Sequence, residues 1–392
     1  MNPTWKIRAQ KPYTAVAQLS EALKIPHFVA QLLLQRGIES REQAQVFFKP
    51  QQGTLHDPFL MHNMSAAVAR LSQAITYQEK VLLYGDYDVD GTTAVALMAE
   101  QLAELGLECA YYIPDRYREG YGVSAAGIDY TIAAGYDLLI TLDCGIKAHT
   151  QLARAHEAQI DIIVCDHHQP DSTLPPGIIL NPKQAACAYP YAELSGCGVA
   201  FKLLQGLYQF LQRDEQQLFK SLDLVALAIG ADIVELLGEN RVLCARGLTQ
   251  LNAAPRPAFL AILALASKSL PLSLRDIVFV LAPRINAAGR IASGKRAVDW
   301  MLSTDQKEIE ALASEINTDN TTRRALDQEN TAQALAQITS DPNFDTQFTT
   351  VVYDPNWHKG VVGIVASRLI ETHYRPTIVL TESNGVLTGS AR

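Results

Sequence analysis

Three short segments of this 392-residue chain concentrate groups that can hold metal ions. They are Tyr84-Gly85-Asp86-Tyr87-Asp88-Val89-Asp90-Gly91, Thr141-Leu142-Asp143-Cys144-Gly145 and Cys165-Asp166-His167-His168-Gln169. Each follows a short apolar run. A fourth acid, Asp232, follows the apolar stretch ending at Ile229. Asp-rich turns after strands often serve only as loops or helix N-caps, and a single His-His pair is more often surface than ligand. An acid recurring at three successive strand ends has no such structural reason. Carboxylates brought together raise one another's pKa values, and a site with this many acids is tolerable chiefly when cations occupy it. Carboxylate oxygens mixed with imidazole nitrogens suit Mn2+, with Mg2+ where oxygens dominate. The chain has no Gly-Lys-Ser/Thr and no G-x-G-x-x-G, which argues against nucleotide binding of the P-loop or dinucleotide type.

The elements that must position these groups follow from the pattern. Apolar runs at Val81–Tyr84, Cys109–Ile113, Leu138–Leu142, Ile160–Cys165 and Ile178–Leu180 alternate with helix-like segments, which predicts an α/β fold with a doubly wound, mainly parallel sheet. The carboxyl ends of such strands open onto one crevice, where the acidic clusters should converge. Residues 1–75 read as a helical region, 76–302 as the sheet domain, 303–339 as a long, polar, solvated connecting helix, and 340–392 as the start of a second, smaller α/β domain.

Composition sets the class. Hydrophobic residues make up 48% of the chain and the net charge is −8, so intrinsic disorder is excluded. No apolar run approaches the ~18 residues of a spanning helix, and the polar start lacks the core of a signal peptide. Six cysteines without a C-x-x-C pair fit a reducing cytoplasm. The acidic balance at first argues against nucleic acid, but it conceals an asymmetry. Residues 241–301 hold nine bases and two acids, a net of +7, which leaves −15 on the remainder. A basic strip beside an acidic crevice is what a nuclease needs.

Asp166-His167-His168, with the upstream Asp-x-Asp and Asp143-Cys144-Gly145, resembles the DHH phosphoesterase superfamily. Arg116-x-x-Glu119-Gly120-Tyr121-Gly122, the run Pro283 to Arg290, Trp357 to Gly363 and Gly389-Ser390-Ala391-Arg392 narrow the resemblance to the RecJ family of bacterial single-strand-specific 5'-to-3' exonucleases. It runs across nearly the whole chain. The resemblance implies two divalent ions, Mn2+ or Mg2+, with Asp88, Asp143 and either Tyr84 or Asp86 around one. Asp90, Asp143, His167 and Asp232 would surround the other, with Asp143 bridging. It implies that His168 faces the scissile phosphate and that Asp166 fixes an imidazole tautomer. Arg284, Asn286 and Arg290 would stabilise developing charge, although the same run could be a helix end closed by Gly289. Arg116, Ser390 and Arg392 would grip a 5'-phosphate, and Gly389-Ser390-Ala391-Arg392 taken alone could be a strand-end turn. His358 is left between a phosphate contact and an interior hydrogen bond. Tyr121 and Trp357 are candidates to stack on bases, with core packing at least as good a reading of Trp357.

Two cations about 4 Å apart would activate water and neutralise charge at phosphorus, releasing 5'-mononucleotides. The resemblance also implies roles in recombination and repair, a single-stranded DNA substrate with a 5' end, a single-strand-binding protein and a helicase as partners, and no membrane. It further implies that the second domain is truncated and that an OB-like domain is absent. The alternatives are a DHH phosphoesterase acting on short oligoribonucleotides or cyclic dinucleotides, and a non-catalytic replication scaffold.

Overall fold

Five apolar runs form the central sheet of the computed structural model, which describes residues 4–383 and 385–392. They are β1 (Val81–Gly85), β2 (Ala110–Tyr112), β3 (Leu138–Leu142), β4 (Asp161–Cys165) and β5 (Ile178–Leu180). The order is β2-β1-β3-β4-β5 and every pairing is parallel. Every residue of β1 and β3 is buried, as expected when helices cover both faces. Successive side chains alternate between two cores. Leu83, Ile140, Leu142 and Ile163 enter the main one, whereas Leu82, Tyr84, Leu139 and Val164 enter a smaller one on the opposite face. β1 and β3 are neighbours although β2 lies between them in sequence, so the order reverses there and a crevice opens beyond their carboxyl ends.

At the amino end, α1 (Tyr13–Leu23), α2 (His27–Leu34) and α3 (Arg41–Phe48) enclose a small core around Val16, Leu19, Ala30 and Leu33. Helix α4 (Met64–Tyr77) instead joins the main core through Met64, Val68 and Leu71. Around the sheet lie α5 (Val89–Glu104), α6 (His149–Glu157), α7 (Gly196–Phe210), α8 (Leu222–Ala231) and α9 (Ala282–Ile291).

The connecting helix, α10 (Gln306–Ser340), is 35 residues long and is capped by Asp305, whose carboxylate accepts from the backbone N–H of Lys307 and Glu308. It is not solvated all round. Ile309, Ala313 and Ile316 enter the main core, and Ala334 and Ile338 enter the core of the second unit. That unit contains β6 (Thr350–Tyr353), α11 (Val362–Thr372), β7 (Thr377–Ser383) and β8 (Val386–Ala391) in the order β6-β7-β8, with β7 and β8 antiparallel. Arg368 of α11 makes two hydrogen bonds to Asp327 of α10, at 2.8 and 2.7 Å, fastening the unit to the helix. Gly389, Ser390 and Ala391 pair with Leu380, Val379 and Ile378, so this motif lies inside a strand and not in a turn.

Candidate active site

β1, β3 and β4 deliver their acidic ends to the same rim of the sheet. Asp143, just past β3, takes the left-handed conformation (φ 59°), and its N–H donates to the Cys165 carbonyl at 2.9 Å. This turn sends its carboxylate against α7. The neighbour there must be glycine, because a Cβ at Gly196 would lie 2.5 Å from Asp143 Oδ1. The N–H groups of Gly196 and Cys197 both donate to Asp90, each at 2.7 Å, so the first turn of α7 orients a second carboxylate. Asp88 caps α5, accepting from the Gly91 N–H at 3.1 Å.

His167 stands at the centre. Its Nε2 is 3.2 Å from Asp143 Oδ1, 3.5 Å from Asp232 Oδ2 and 3.8 Å from Asp90 Oδ2. Asp166 accepts from the backbone N–H of His167 (2.7 Å), of His168 (3.0 Å) and of Ile146 (2.9 Å). It also accepts from His168 Nδ1 at 2.7 Å. That bond to Asp166 raises the pKa of His168, whose Nε2 lies within hydrogen-bond distance of the Tyr121 hydroxyl at 3.0 Å.

The electrostatics are those of a site arranged around cations. Asp143 Oδ1, Asp86 Oδ2 and His167 Nε2 are buried without a hydrogen-bond partner. Burial, then Asp88, pushes Asp86 up to about 7, and the same two causes push Asp232 up to about 6. Asp90 is held well above the usual carboxylate range by burial and Asp232, and Asp143 by burial and Asp90. Burial pushes His167 down to about 4, keeping it a neutral ligand. Two triads, Asp143–His167–His168 and Asp90–His167–Asp232, each present three donor atoms within 4.8 Å of one another. Oxygens and neutral imidazole at this spacing fit divalent cations of the Mn2+ or Mg2+ kind.

Beside this cluster a cleft of about 480 Å³ separates the sheet domain from the second unit. Arg116, Arg290, Lys359 and Arg392 line it with Ser390, Tyr87 and Tyr121, and no carboxylate belongs to its described walls. The Arg116 guanidinium lies 4.8 Å over the Tyr87 ring. Arg290 donates to the Gly360 carbonyl at 3.2 Å, and burial with repulsion from Arg116 and Arg323 lowers its pKa to about 10. Arg392 donates to Ser390 Oγ at 2.9 Å. Unneutralised guanidinium forks in a half-enclosed cleft suit phosphate oxygens.

The chain is similar to several known proteins. The DHH family, N-terminal domain, matches residues 80–229. The single-stranded-DNA-specific exonuclease RecJ of Bacillus subtilis (strain 168) is 40% identical over 99% of this chain and 49% of its own length. The exonuclease of the same name from Dickeya dadantii (strain 3937) is 35% identical over 100% of this chain and 69% of its own. The chain belongs to the RecJ family. The crystal structure of Thermus thermophilus RecJ in complex with Mn2+ superimposes with a TM-score of 0.82 at 29% identity, covering 96% of this chain and 54% of that one. The chain thus spans about half the length of two of these RecJ proteins.

Not every residue expected in the RecJ-like site lies there. Tyr84 points to the opposite face of the sheet, stacks on Tyr112, and its hydroxyl accepts from the Ser124 N–H at 3.0 Å. It is therefore no candidate ligand, whereas Asp86 offers a free buried oxygen. Arg284 turns to α10, donating to Asn317 Oδ1 at 3.0 Å and the Val280 carbonyl at 2.7 Å. Asn286 accepts from the Val89 N–H at 3.3 Å, so it braces the start of α5. Gly289 sits inside α9 and closes nothing; a Cβ there would meet the Tyr87 carbonyl oxygen at 2.4 Å. His358 takes the interior bond, accepting the Gly360 N–H at 3.1 Å. Trp357 is buried and donates to Gln333 at 2.7 Å, which is the core reading. The sequence reading overlooked Lys359 and Tyr87 in the cleft wall, although both stand next to residues it singled out.

Proposed function

We propose that this chain is a metal-dependent exonuclease that degrades single-stranded DNA from its 5' end and releases 5'-mononucleotides, with a place in recombination and repair. The observation that carries this reading is the cationic cleft beside a buried acid–histidine cluster, with Tyr121 reaching from the cleft wall to His168. Asp86, Asp88 and Asp143 would hold one divalent cation, and Asp90, Asp143, His167 and Asp232 the other. Once bound, such a pair lowers the pKa of water and neutralises charge developing at phosphorus. The protein's own groups do the rest. Arg116, Ser390 and Arg392 grip the terminal phosphate, which places the next phosphodiester over the acid cluster. Arg290 adds positive charge from the neighbouring wall, near Asp88. His168, held by Asp166, presents a fixed ring edge to the phosphate. Arg284 and Asn286 are assigned supporting roles, bracing α9 and α5.

No helix among the described residues is long and apolar enough to cross a membrane, and we place the activity in the cytoplasm. A single-strand-binding protein and a helicase are the partners we propose, from family likeness.

The test uses Mn2+ and three substrates labelled at either end: single-stranded DNA, duplex DNA and a short RNA. Loss of nucleotides from the 5' end of single-stranded DNA is expected. Preferential decay of the short RNA would overturn the reading in favour of an oligoribonucleotide phosphoesterase.

A further inference from the structure

Tyr121 lines two cavities. One is the cationic cleft; the other, of about 260 Å³, is bounded by Val123, Ile146, Ala148, Gln151 and His168. We propose that this second cavity seats the nucleobase of the 5'-terminal nucleotide, the one about to be released. The proposal rests on the exonuclease reading above and adds a binding site to it.

Three observations point to a base. The floor is apolar and rigid: Val123 and Ile146 are buried, and the Ile146 N–H is already bound to Asp166, which also holds His168. A flat ring can pack there without stranding a polar group. An anion is disfavoured, because the Asp166 carboxylate lies in the wall and the Lys147 ammonium is exposed at the rim. The volume suits a single heteroaromatic ring system and not a folded dinucleotide.

The position completes the argument. With the terminal phosphate on Arg116 and Arg392 and the scissile phosphodiester beside His168, one nucleotide must span Tyr121. Tyr121 lines both cavities and reaches His168, so the base of that nucleotide has this cavity next to it. Tyr121 is 58% exposed and offers its ring for stacking. The Gln151 amide can donate or accept, and the Lys147 ammonium can donate, so the rim serves all four bases without reading sequence.

The experiment compares 5'-phosphorylated oligonucleotides that carry either thymine or an abasic tetrahydrofuran at the first residue. Single-turnover release of that residue is measured at subsaturating enzyme with Mn2+, for the wild-type chain, Ala148→Trp and Gln151→Ala. The wild type is expected to release the thymidine residue about tenfold faster, the order of one stacked base. Ala148→Trp, whose indole fills the cavity, should bring the ratio of the two rates close to one, and Gln151→Ala should narrow it in part. Equal wild-type rates on the two substrates overturn the base seat, as does a loss in both variants that leaves the ratio at its wild-type value. Absence of any 5' release by the wild type from either substrate would instead bring down the exonuclease reading itself.

Discussion

The acid cluster and the cationic cleft each gather charge of one sign, yet they are built in opposite ways. The acids come from the strand ends and helix termini of one domain. Asp86, Asp90 and Asp143 are at most 2% exposed, and backbone N–H groups fix Asp90 in place. The cations come from the loop after β2, from α9, and from the second unit, and their hydrogen bonds within the protein go to carbonyls and hydroxyls. Charge in the first site is buried and repulsive until a cation arrives, so the protein carries a standing electrostatic cost there. Charge in the second is half-solvated, is crowded only where Arg290 meets Arg116, and is available at once to an incoming phosphate. Removing a charge should therefore have different side effects in the two places.

The largest effect is expected at the bridging position. Asp143→Asn should lower Mn2+-dependent hydrolysis by at least about 10³-fold, since it removes the ligand that both proposed cations would share. The same change should raise, or leave unaltered, the thermal midpoint of the metal-free protein, because it deletes one of several mutually repelling buried carboxylates. Initial rates and metal-free melting curves check both halves. Near-normal hydrolysis would break the contrast.

Arg116→Ala should act more moderately. Losing one charge-assisted fork is expected to reduce kcat/KM on 5'-phosphorylated single strands by roughly 10–100-fold. It should also shrink the preference for a 5'-phosphate over a 5'-hydroxyl while leaving metal-free stability alone. An unchanged preference in end-defined substrates would show that the cleft does not read the strand end.

The two regions also differ in how much of them the sequence made legible. The acid cluster was readable because parallel topology forces strand ends onto one rim, so acids at successive run ends must meet. Tyr84 was expected in the site because the resemblance implied its position there, yet period-two alternation places it with Leu82 on the other face. The cleft depends on how two units meet, which no local pattern encodes, and its residues were found only by resemblance. Even there a signal existed. Arg284 and Arg290 are six residues apart on one helix, about a third of a turn out of phase, so they point to different sides of it. The apolar stripe Ile309, Ala313, Ile316 likewise showed that the first turns of α10 pack, although its many charges suggested full solvation.

The smallest expected effect is on stability against pH without metal, and its sign separates the regions again. Asp86 and Asp232 are raised from 3.8 to about 7 and about 6 in the folded chain. Below about pH 3.8 both folded and unfolded chains keep these protons, and stability does not depend on them. Between that value and about 7 the unfolded chain has released protons that the folded chain still holds, so stability falls as pH rises. His167, lowered from 6.5 to about 4, acts in the opposite direction between those two values. It stands alone against four carboxylates, because Asp90 and Asp143 are also raised. In EDTA the melting temperature should therefore drop by several degrees between about pH 5 and 8. Divalent cations bind the deprotonated ligands, so the gain in melting temperature on adding Mn2+ should grow over the same interval. Asp86→Asn should flatten the EDTA profile, whereas Arg116→Ala, which removes a cation that lowers Asp86, should not flatten it. A flat EDTA profile in the unmodified chain would mean that the cluster carries no stored repulsion for a cation to relieve.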